Sequence, residues 1–591
     1  MVGPAYDFLV NPLGAVRITF EEAIASGSDL ASFDGKDWGA VDLFRHFLVD
    51  QGGLSQVPVL APSTVRWAQP NTLVRFRGMI QDMLGNELYV GAYKDGSLWR
   101  TNKFTDVLHC PMSSSADTRL WERRLLYCVP VPGLNAWAEV SSEAFKNKLM
   151  DWAYQQRQKR RRLDHESTDC EEMPVFDTEV QGSPNTKRMR ADEQSSCAYQ
   201  SPVPEAPRSS ISLVPNLDGN LPHCLVKIYD CPESDLKLND VFEFVGVLSC
   251  APELQVDNED LDFSNGFSED PMPHLPASKV PYLHCIIHRK LAAKDFLQNN
   301  PIIELKPDWI KEIRNGLLRH LTSVFGNDDL AAHFMLLHLL SRVHARIDTV
   351  AVGKLSLNLT CFSKEIMSVF GNQLTTSIRN LLPFSCCIPL TVDYLNAASL
   401  APRKDYDTNR LVTGVLQLAE GSHVIFDETK LEAGTLNSVG VENARLLKNL
   451  VELQQVEYDF KYYKMEMAAD VQLLVLSEGK SNILPADVIV PFRPSEVNHS
   501  EAIVAEAAEA WRWYLATVRL LPHSIESEMQ KVVENDLVAA RQADRSLNPQ
   551  DFSRWLTMGR LMSLSFGETS LSLEHWQMIK ELERLRKQRL K

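Results

Sequence analysis

Apolar and polar residues alternate along the first part of the chain in the way that half-buried β-strands require. Residues 71–93 read NTLVRFRGMIQDMLGNELYVGAY, and the Leu84-Gly85-Asn86 segment predicts a turn between two strands. Extended segments follow at Arg123–Gly133, Cys224–Asp230 and Leu238–Cys250, where β-branched and aromatic residues are frequent. The pattern therefore predicts a β-sheet region assembled from distant parts of the chain.

A polar stretch interrupts this strand pattern. Residues 151–215 contain many Ser, Pro and charged residues and few aromatic ones, so they cannot offset the entropy of their own ordering, and we expect a disordered insert. Strands in 1–150 and 216–250 would together form a small five-stranded barrel of the OB type. The acidic, Pro-containing segment 251–279 is interpreted as a linker.

From Val280 onwards strand-like and helix-like segments alternate. The apolar strings VPYLHCIIH, KLSLNL, CCIPLTV and DVQLLVLSEG predict strands, and stretches of helical periodicity lie between them. This alternation predicts an α/β domain with a mostly parallel sheet in 280–493. Helical periodicity continues through 494–591, which we interpret as a helical lid. The predicted fold class is multidomain, α/β plus β.

The composition narrows the functional class. The 591 residues are 44% hydrophobic and 23% charged, which is typical of globular proteins. A net charge of -16 argues against direct DNA binding, which depends on Lys and Arg, and favours a protein partner. The 11 cysteines form no CxxC pair, so we expect reduced thiols and no metal site. No apolar run is long enough to predict a membrane span.

The string GSHVIFDE, residues 421–428, is the strongest candidate for chemistry. In P-loop NTPases a buried strand that ends in this way presents an Asp to Mg²⁺ and a Glu to the attacking water, roles that Asp427 and Glu428 would take. A buried core strand that merely emerges into a loop explains the same two acids equally well.

The phosphate-binding loop that such a site needs is absent. Its GxxxxGK[ST] pattern uses glycine amides to surround phosphates, whereas the segment after KLSLNL reads TCFSKEIMSVF and contains no glycine. Gly353-Lys354 precedes the strand and cannot place its lysine at a helix N-terminus. We therefore predict no catalytic residue, no cofactor and no small-molecule substrate, with Asp427 and Glu428 left as a degenerate strand end.

Two histidines in an apolar helical stretch are the remaining candidates for metal ligands. His333 and His338 are five residues apart, whereas zinc-binding pairs on a helix are about four apart. We interpret both as core histidines.

Basic clusters in the insert suggest the cellular location. Clustered Lys and Arg in a flexible segment suit binding to import receptors, which predicts a nuclear protein. Ser-Pro pairs flank the second cluster, and phosphorylation there would place negative charge beside it. The import candidates are Lys159, Arg160, Arg161, Arg162, Lys187, Arg188 and Arg190, and the phosphorylation candidates are Ser183 and Ser201.

Longer strings spread over nearly the whole chain carry a family resemblance. They are PNTLVRFRGMIQDML, LYCVPVPG, CLVKIYD, RKDYDTNRLVTGVLQL, VIFDETKLEAG, VEYDFKYYKMEM and LSEGKSNILPAD, followed by the C-terminal helical region. In this order they resemble the MCM-binding protein family, and its plant members in particular.

The resemblance implies a partner and a fold. MCM-binding proteins bind subunits of the MCM replicative helicase and aid assembly, stability or chromatin unloading of the MCM complex, and plant members are linked to sister-chromatid cohesion. It also implies that 280–493 is a degenerate AAA+-like domain of the MCM type, with contact to chromatin only through MCM subunits.

Two other functions stay open from the sequence. A divergent AAA+ ATPase would use a non-standard phosphate loop together with Asp427. A single-stranded DNA-binding protein would use the barrel, where Arg75, Arg77 and Tyr89 supply basic and stacking side chains.

Overall fold

A computed structural model describes residues 7–26, 37–60, 68–106, 118–139, 223–249, 280–297, 307–495 and 505–591. All of them belong to one unit of the chain, Met1–Ser142 with Val214–Lys591. The predicted disordered insert, 151–215, and the predicted linker, 251–279, lie outside the described residues. The fold is mixed α/β, with helices and several sheets.

The N-terminal part is a closed β-barrel with two helices against it. Helices α1 (Pro12–Ala25) and α2 (Ala40–Arg45) precede six strands, which are β1 (Leu73–Asp95), β2 (Leu98–Thr101), β3 (Thr118–Val129), β4 (Cys224–Ile228), β5 (Val241–Ser249) and β6 (Tyr282–Lys290). The order is β2-β1-β3-β4-β6-β5, and β5 also pairs with β1, which closes a ring of five strands. Among the described strands of this barrel, β4 and β6 pair in parallel and the other neighbours are antiparallel.

Strand β1 corrects the predicted turn at Leu84-Gly85-Asn86. The strand runs without interruption through this segment, and its first half pairs with β5 while its second half pairs with β2 and β3. Gly85 has φ +90° at a shift in the pairing with β3. The glycine therefore forms a β-bulge, because a bulge uses the same left-handed backbone that a turn would use.

Strand β6 corrects the assignment of VPYLHCIIH to the α/β sheet. It pairs with β4 in parallel and with β5 antiparallel, so it completes the barrel. A run of apolar residues identifies a buried strand but not its partners, which here lie far away in sequence.

A parallel sheet forms the centre of the second half. Its strands, all parallel, lie in the order β10-β13-β16-β9-β17 and are β9 (Leu357–Thr360), β10 (Ser385–Pro389), β13 (His423–Asp427), β16 (Gln472–Leu476) and β17 (Val488–Pro491). Every residue of β13 and β16 is buried, as in parallel sheets covered on both faces. The strands predicted from KLSLNL, CCIPLTV, HVIFD and DVQLLVL are confirmed.

Helices surround this sheet. They are α3 (Pro307–Val324), α4 (Asp329–Leu340), α5 (Lys364–Ile366), α6 (Asn372–Leu381), α7 (Val392–Ala397) and α8 (Ser438–Leu453). Asp328 caps α4 by accepting a hydrogen bond from the amide of Ala331. Between Lys354 and the sheet's last strand, the chain thus follows the predicted strand–helix alternation.

Three hairpins project from the alternating strands and helices. Strands β7 (Ala345–Ile347) and β8 (Val350–Val352) form one. The other two are β11 (Arg403–Asp405) with β12 (Arg410–Val412), and β14 (Gln455–Asp459) with β15 (Lys464–Ala468). Parallel pairing of β11 with β14 joins these two into one four-stranded sheet, which we call the paired hairpins.

The C-terminal residues are helical, as predicted for this part of the chain. Helices α9 (Ala505–Val518), α10 (Ser527–Ala543), α11 (Pro549–Ser565) and α12 (Leu573–Leu590) follow β17. Buried residues of α9, α11 and α12 share one apolar cluster with α3, α4 and the parallel sheet, so these helices are part of the core. Among the described residues no helix has the length and apolar character to cross a membrane.

The barrel packs directly against the parallel sheet. Phe296 and Phe384 meet edge to face with centroids 5.1 Å apart, within an apolar cluster drawn from both parts. The carboxylate of buried Asp82 accepts a hydrogen bond from the amide of Leu411 at 2.8 Å, and Asn135 Nδ2 donates to the carbonyl of Leu382 at 2.7 Å. Satisfied polar groups thus fix the orientation of the two parts.

Candidate functional site

The carboxyl ends of β9, β13 and β16 lie side by side at one edge of the parallel sheet. Thr360, Asp427 and Leu476 end these strands, and β16 lies between β9 and β13. In open α/β sheets this edge is where ligands bind. Asp427 and Glu428, predicted to be a degenerate strand end, lie at this edge.

In the loop between β9 and α5, residues 361–363, two backbone amides and an aromatic side chain are directed into the protein. The amide of Cys361 donates to the carbonyl of Glu478 at 3.0 Å, and that of Phe362 donates to the carbonyl of Ser477 at 3.0 Å. The Phe362 side chain is 0% exposed and stacks on Phe492 with centroids 4.7 Å apart. Amides that would face phosphate in a P-loop are thus used inside the protein.

The two acids at the end of β13 point to different internal partners. Oδ1 of Asp427 accepts hydrogen bonds from the amide of Thr429 at 3.0 Å and from its hydroxyl at 2.6 Å. Glu428 accepts a hydrogen bond from the Ser481 hydroxyl at 2.6 Å. Burial raises the pKa of Glu428, although this hydrogen bond opposes the shift. Both side chains therefore support loops that leave the sheet.

The nearby lysines are engaged in ion pairs. Lys364 Nζ, in the segment after KLSLNL, lies 3.0 Å from Glu432 Oε1 at the surface. Lys354 Nζ lies 2.8 Å from Asp487 Oδ1, and Asp487 also accepts hydrogen bonds from the amide and hydroxyl of Ser356. Asp487 precedes β17, so Lys354 belongs to the amino edge of the sheet.

The two histidines occupy different environments. Buried His338 has Nδ1 2.7 Å from the carbonyl of Leu355 and Nε2 3.0 Å from Nε2 of His423. His333 is half-buried, with Nδ1 2.9 Å from the carbonyl of Asp329. Burial lowers the pKa of His338 to about 4 and that of His423 well below its usual value. The described residues contain no cluster of three or more His, Cys, Asp or Glu suited to a metal ion.

The barrel residues proposed for single-stranded DNA are turned inwards. Arg77 Nε donates to Glu243 at 2.7 Å, and Arg75 Nη1 lies 3.6 Å from the same carboxylate, which is almost fully buried. The guanidinium of Arg123 covers the ring of buried Tyr89 at 4.7 Å from its centroid. The interpretation of these residues as a nucleic-acid surface is wrong, because stacking requires exposed rings.

The paired hairpins expose aromatic side chains that sequence reasoning did not select. Tyr462 is 77% exposed and Tyr463 55% exposed, and Tyr406 lies beside them on the neighbouring hairpin. The rings of Tyr406 and Tyr462 are 5.5 Å apart, and Tyr463 stacks on Phe460 at 5.0 Å. The string DFKYYK indicates this surface, because adjacent aromatic residues in a polar hairpin turn cannot all be buried in a core.

Ion pairs hold this surface in place. The carboxylate of Glu457 on β14 lies 2.6 Å from Arg445 Nη2 and 2.7 Å from Lys464 Nζ. The ion pair with Arg445 ties the hairpin to α8. Hydrogen bonds from Arg445 and Lys464 lower the pKa of Glu442 to about 2. A network of several charges fixes geometry better than an isolated surface pair does.

The import and phosphorylation candidates lie outside the described residues. These are Lys159, Arg160, Arg161, Arg162, Lys187, Arg188, Arg190, Ser183 and Ser201.

Comparison with known proteins gives the family. A family model described as "Mini-chromosome maintenance replisome factor" matches residues 44–590. The mini-chromosome maintenance complex-binding protein of Arabidopsis thaliana is 59% identical over 594 residues, covering 100% of both chains. Proteins of the same name from Salmo salar and Homo sapiens are 34% and 31% identical, each covering 99% of this chain and 98% of the relative. The resemblance seen in the sequence is confirmed: the chain is a plant-like member of the mini-chromosome maintenance replisome factor family.

Proposed function

We propose that this chain is a non-catalytic binding partner of the MCM replicative helicase subunits in the nucleus. In this role it aids assembly, stability or chromatin unloading of the MCM complex during DNA replication and supports sister-chromatid cohesion. It meets chromatin only through the MCM subunits. The observation that carries the proposal is the β9–α5 loop, where the Phe362 side chain is buried and the amides of Cys361 and Phe362 donate to carbonyl groups of the same chain. We propose that Phe362 occupies the position that a P-loop leaves open for phosphate.

The order of the parallel sheet supports an AAA+-like origin. Numbered along the chain, the five strands lie in the order 2-3-4-1-5, which is that of AAA+ cores. In such a core the first strand leads into the phosphate loop and the third ends in the metal-binding acid. Strands β9 and β13 hold these two places, so a degenerate AAA+-like domain accounts for both the sheet and the lost nucleotide site.

The ring of strands in the barrel supports an OB-like fold. Five strands close through the pairing of β1 with β5, and β4 and β6 are parallel neighbours. OB folds are five-stranded barrels with Greek-key connections. With β6 included, we propose that the barrel ends near Lys290 and that the AAA+-like domain begins at α3.

The exposed tyrosines of the paired hairpins support a protein-binding surface. Tyr406, Tyr462 and Tyr463 form an apolar patch beside Lys461, with no core residue covering it among the described parts of the chain. Tyrosine is enriched at the centres of protein interfaces because it buries a large ring at low entropy cost. We propose that MCM subunits bind this patch.

Nuclear import through the two basic clusters is part of the same proposal. Clusters at Lys159–Arg162 and Lys187–Arg190 would bind an import receptor, and phosphate on Ser183 or Ser201 would weaken that binding through charge neutralisation. Replacing the lysines and arginines of both clusters with Gln should move a fluorescent fusion from the nucleus to the cytoplasm.

Co-elution with purified MCM subunits tests the binding surface. We expect the wild-type chain to elute with MCM subunits on size exclusion without added nucleotide. The double variant Tyr462→Ser/Tyr463→Ser should bind at least ~10-fold more weakly, because central interface aromatics often contribute 2 kcal/mol or more, roughly 30-fold in affinity. Point variants are preferable to truncation after Pro494, since α9, α11 and α12 share the core of the sheet.

A matched control separates this surface from general loss of apolar area. Val538 lies on α10, outside the tyrosine patch, and is 57% exposed. Val538→Ser should therefore leave binding unchanged. Wild-type binding by the double variant would refute the proposed surface, and failure of the wild-type chain to bind any MCM subunit would refute the function.

A further inference from the structure

Cationic side chains gather where the C-terminal helices meet the amino edge of the parallel sheet. Arg342 and His344 follow α4, Arg519 follows α9, His523 lies between α9 and α10, and Arg560 lies on α11. Helices α9 and α11 both pack on α4, which brings these segments together. We call these five residues the arginine–histidine cluster.

Arg519 and Arg560 are buried and Arg342 is half-buried, yet their guanidinium groups have no partner among the described residues. Arg560 is 9% exposed and Arg519 is 7% exposed, and neither makes a hydrogen bond or an ion pair with any described residue. Nη1 of Arg560 and Nε of Arg342 are both shielded from solvent without an acceptor. Buried charges in proteins are normally paired, so these donors lack the acceptor that such burial requires.

The cationic side chains also act on one another. Burial, together with the charge of Arg342, lowers the pKa of Arg560 to about 10. Burial, then Arg560 and His344, lowers the pKa of His523 to about 4. Burial lowers the pKa of Arg519 as well, and the charge of Arg342 adds to this shift. The buried guanidinium groups of Arg519 and Arg560 are thus both repelled by the charge of half-buried Arg342.

Nearby carboxylates do not neutralise the cluster. Asp470 and Glu420 attract Arg519 electrostatically, but neither lies within ion-pair distance of it. Asp470 instead accepts a hydrogen bond from the amide of Val343 at 2.9 Å. The cluster retains positive charge even when both histidines are neutral.

We propose that the arginine–histidine cluster binds a small inorganic phosphate-type anion, phosphate or pyrophosphate. Guanidinium forks match the oxygens of phosphate, and a tetrahedral anion offers enough acceptors for several arginines at once. The half-buried His523 and exposed His344 mark the solvent side through which the anion enters.

The site is separate from the filled phosphate loop. Gly421 and Asp470 precede β13 and β16, and a Cβ on Gly421 would lie 4.0 Å from Arg519 Nη2. The cluster therefore lies at the amino edge of the sheet, opposite Phe362 and Asp427. An anion bound there would join α4, α9 and α11 and so stabilise the packing of the C-terminal helices on the sheet.

Calorimetric titration of the full chain with pyrophosphate, and separately with phosphate, tests the site at constant ionic strength. We expect saturable binding of one anion per chain, tighter for pyrophosphate. Arg560→Met and Arg519→Met should each weaken it by at least ~10-fold, because a hydrogen bond to a charged group contributes about 1.5–3 kcal/mol. Arg584→Met is the matched control, since Arg584 is exposed and paired with Glu581.

Thermal unfolding separates ligand binding from a purely structural role. Without the anion, Arg560→Met should unfold at the same or a higher temperature than the wild type, because an unpaired, repelled charge is removed. Pyrophosphate should raise the unfolding temperature of the wild type and of Arg584→Met, but not that of Arg560→Met. If Arg560→Met does not fold, Arg519→Met provides the same comparison.

Three results would overturn the proposal. The first is that the wild type shows no saturable binding. The second is that the folded variants Arg560→Met and Arg519→Met bind the anion as tightly as the wild type does. The third is that Arg584→Met loses as much affinity as these two variants.

Discussion

The β9–α5 loop and the paired hairpins differ in the direction in which their side chains point. In the loop, Phe362 is fully buried and the amides of Cys361 and Phe362 are bound by carbonyl groups of the same chain. In the hairpins, Tyr462 and Tyr463 lie in solvent while ion pairs to Glu457 hold the backbone in place. The β9–α5 loop is closed, whereas the apolar surface of the paired hairpins is open. This contrast favours a protein that acts by binding other proteins.

Substitution within the loop should give the largest effect. Phe362→Ala leaves a cavity beside Phe492 and should lower the free energy of unfolding by about 3–5 kcal/mol. Val369→Ala, at a partly exposed position nearby, is the control and should cost far less. Chemical denaturation measures both. If the free energy of unfolding of Phe362→Ala were close to the wild-type value, the Phe362 side chain would not be tightly packed. The β9–α5 loop would then not differ from the hairpins as described.

Protonation of His338, in the buried histidine pair, should lower the free energy of unfolding by about 3 kcal/mol as the pH falls towards 4. The folded protein holds the pKa of His338 at about 4, below the value of an unfolded histidine, so the unfolded chain takes up the proton first. Stability should therefore be full above about pH 6.5 and fall progressively as the pH drops towards 4.

Denaturation curves at several pH values check this prediction. His338→Gln should be less stable than the wild type at pH 7.5 but should lose less stability between pH 7 and pH 5. Parallel pH profiles for the two proteins would contradict this prediction. They would mean that protonation of His338 does not change the free energy of unfolding.

Asp427→Asn should have a small effect. Asn can still accept the hydrogen bonds from Thr429, so we expect a loss of about 1 kcal/mol or less in the free energy of unfolding. Binding of MCM subunits should not change. Denaturation and co-elution measure the two quantities, and a strong loss of binding would indicate that the closed edge of the sheet takes part in the function after all.

Substitution of the exposed tyrosines should have the smallest effect on stability. Tyr462→Ser removes a ring that is mostly in solvent and should change the free energy of unfolding by about 0.5 kcal/mol or less. Together with the expected loss of MCM binding in the double variant, this result would sharpen the contrast with Phe362. A large destabilisation would instead place the ring in the packing of the hairpins.

Local patterns predicted the strands but not their pairing. The runs HVIFD and QLLVL are buried on both faces, and such continuous apolar runs indicate buried strands. Gly85 was misread because a bulge and a turn require the same backbone freedom, and β6 was misplaced because its partners β4 and β5 are not indicated by its own residues. Pairing over long sequence distances is a property of the whole fold.

The candidate sites were predictable to different degrees. The missing glycines after KLSLNL already indicated the loss of the phosphate loop. The inward orientation of Arg75 and Arg77 depends on Glu243, a residue of another strand, and could not be deduced from alternation alone. The arginine–histidine cluster collects residues from three separate segments, so no motif could reveal it.

Steady-state ATP hydrolysis by the purified full chain tests the central claim most directly. Phe362 is buried in the β9–α5 loop and its amide is bonded within the chain, so we predict that the wild type and Asp427→Asn release phosphate at the same rate as the buffer blank, while the wild type still co-elutes with MCM subunits. Turnover by the wild type that disappears in Asp427→Asn would contradict the account and identify the chain as a divergent ATPase.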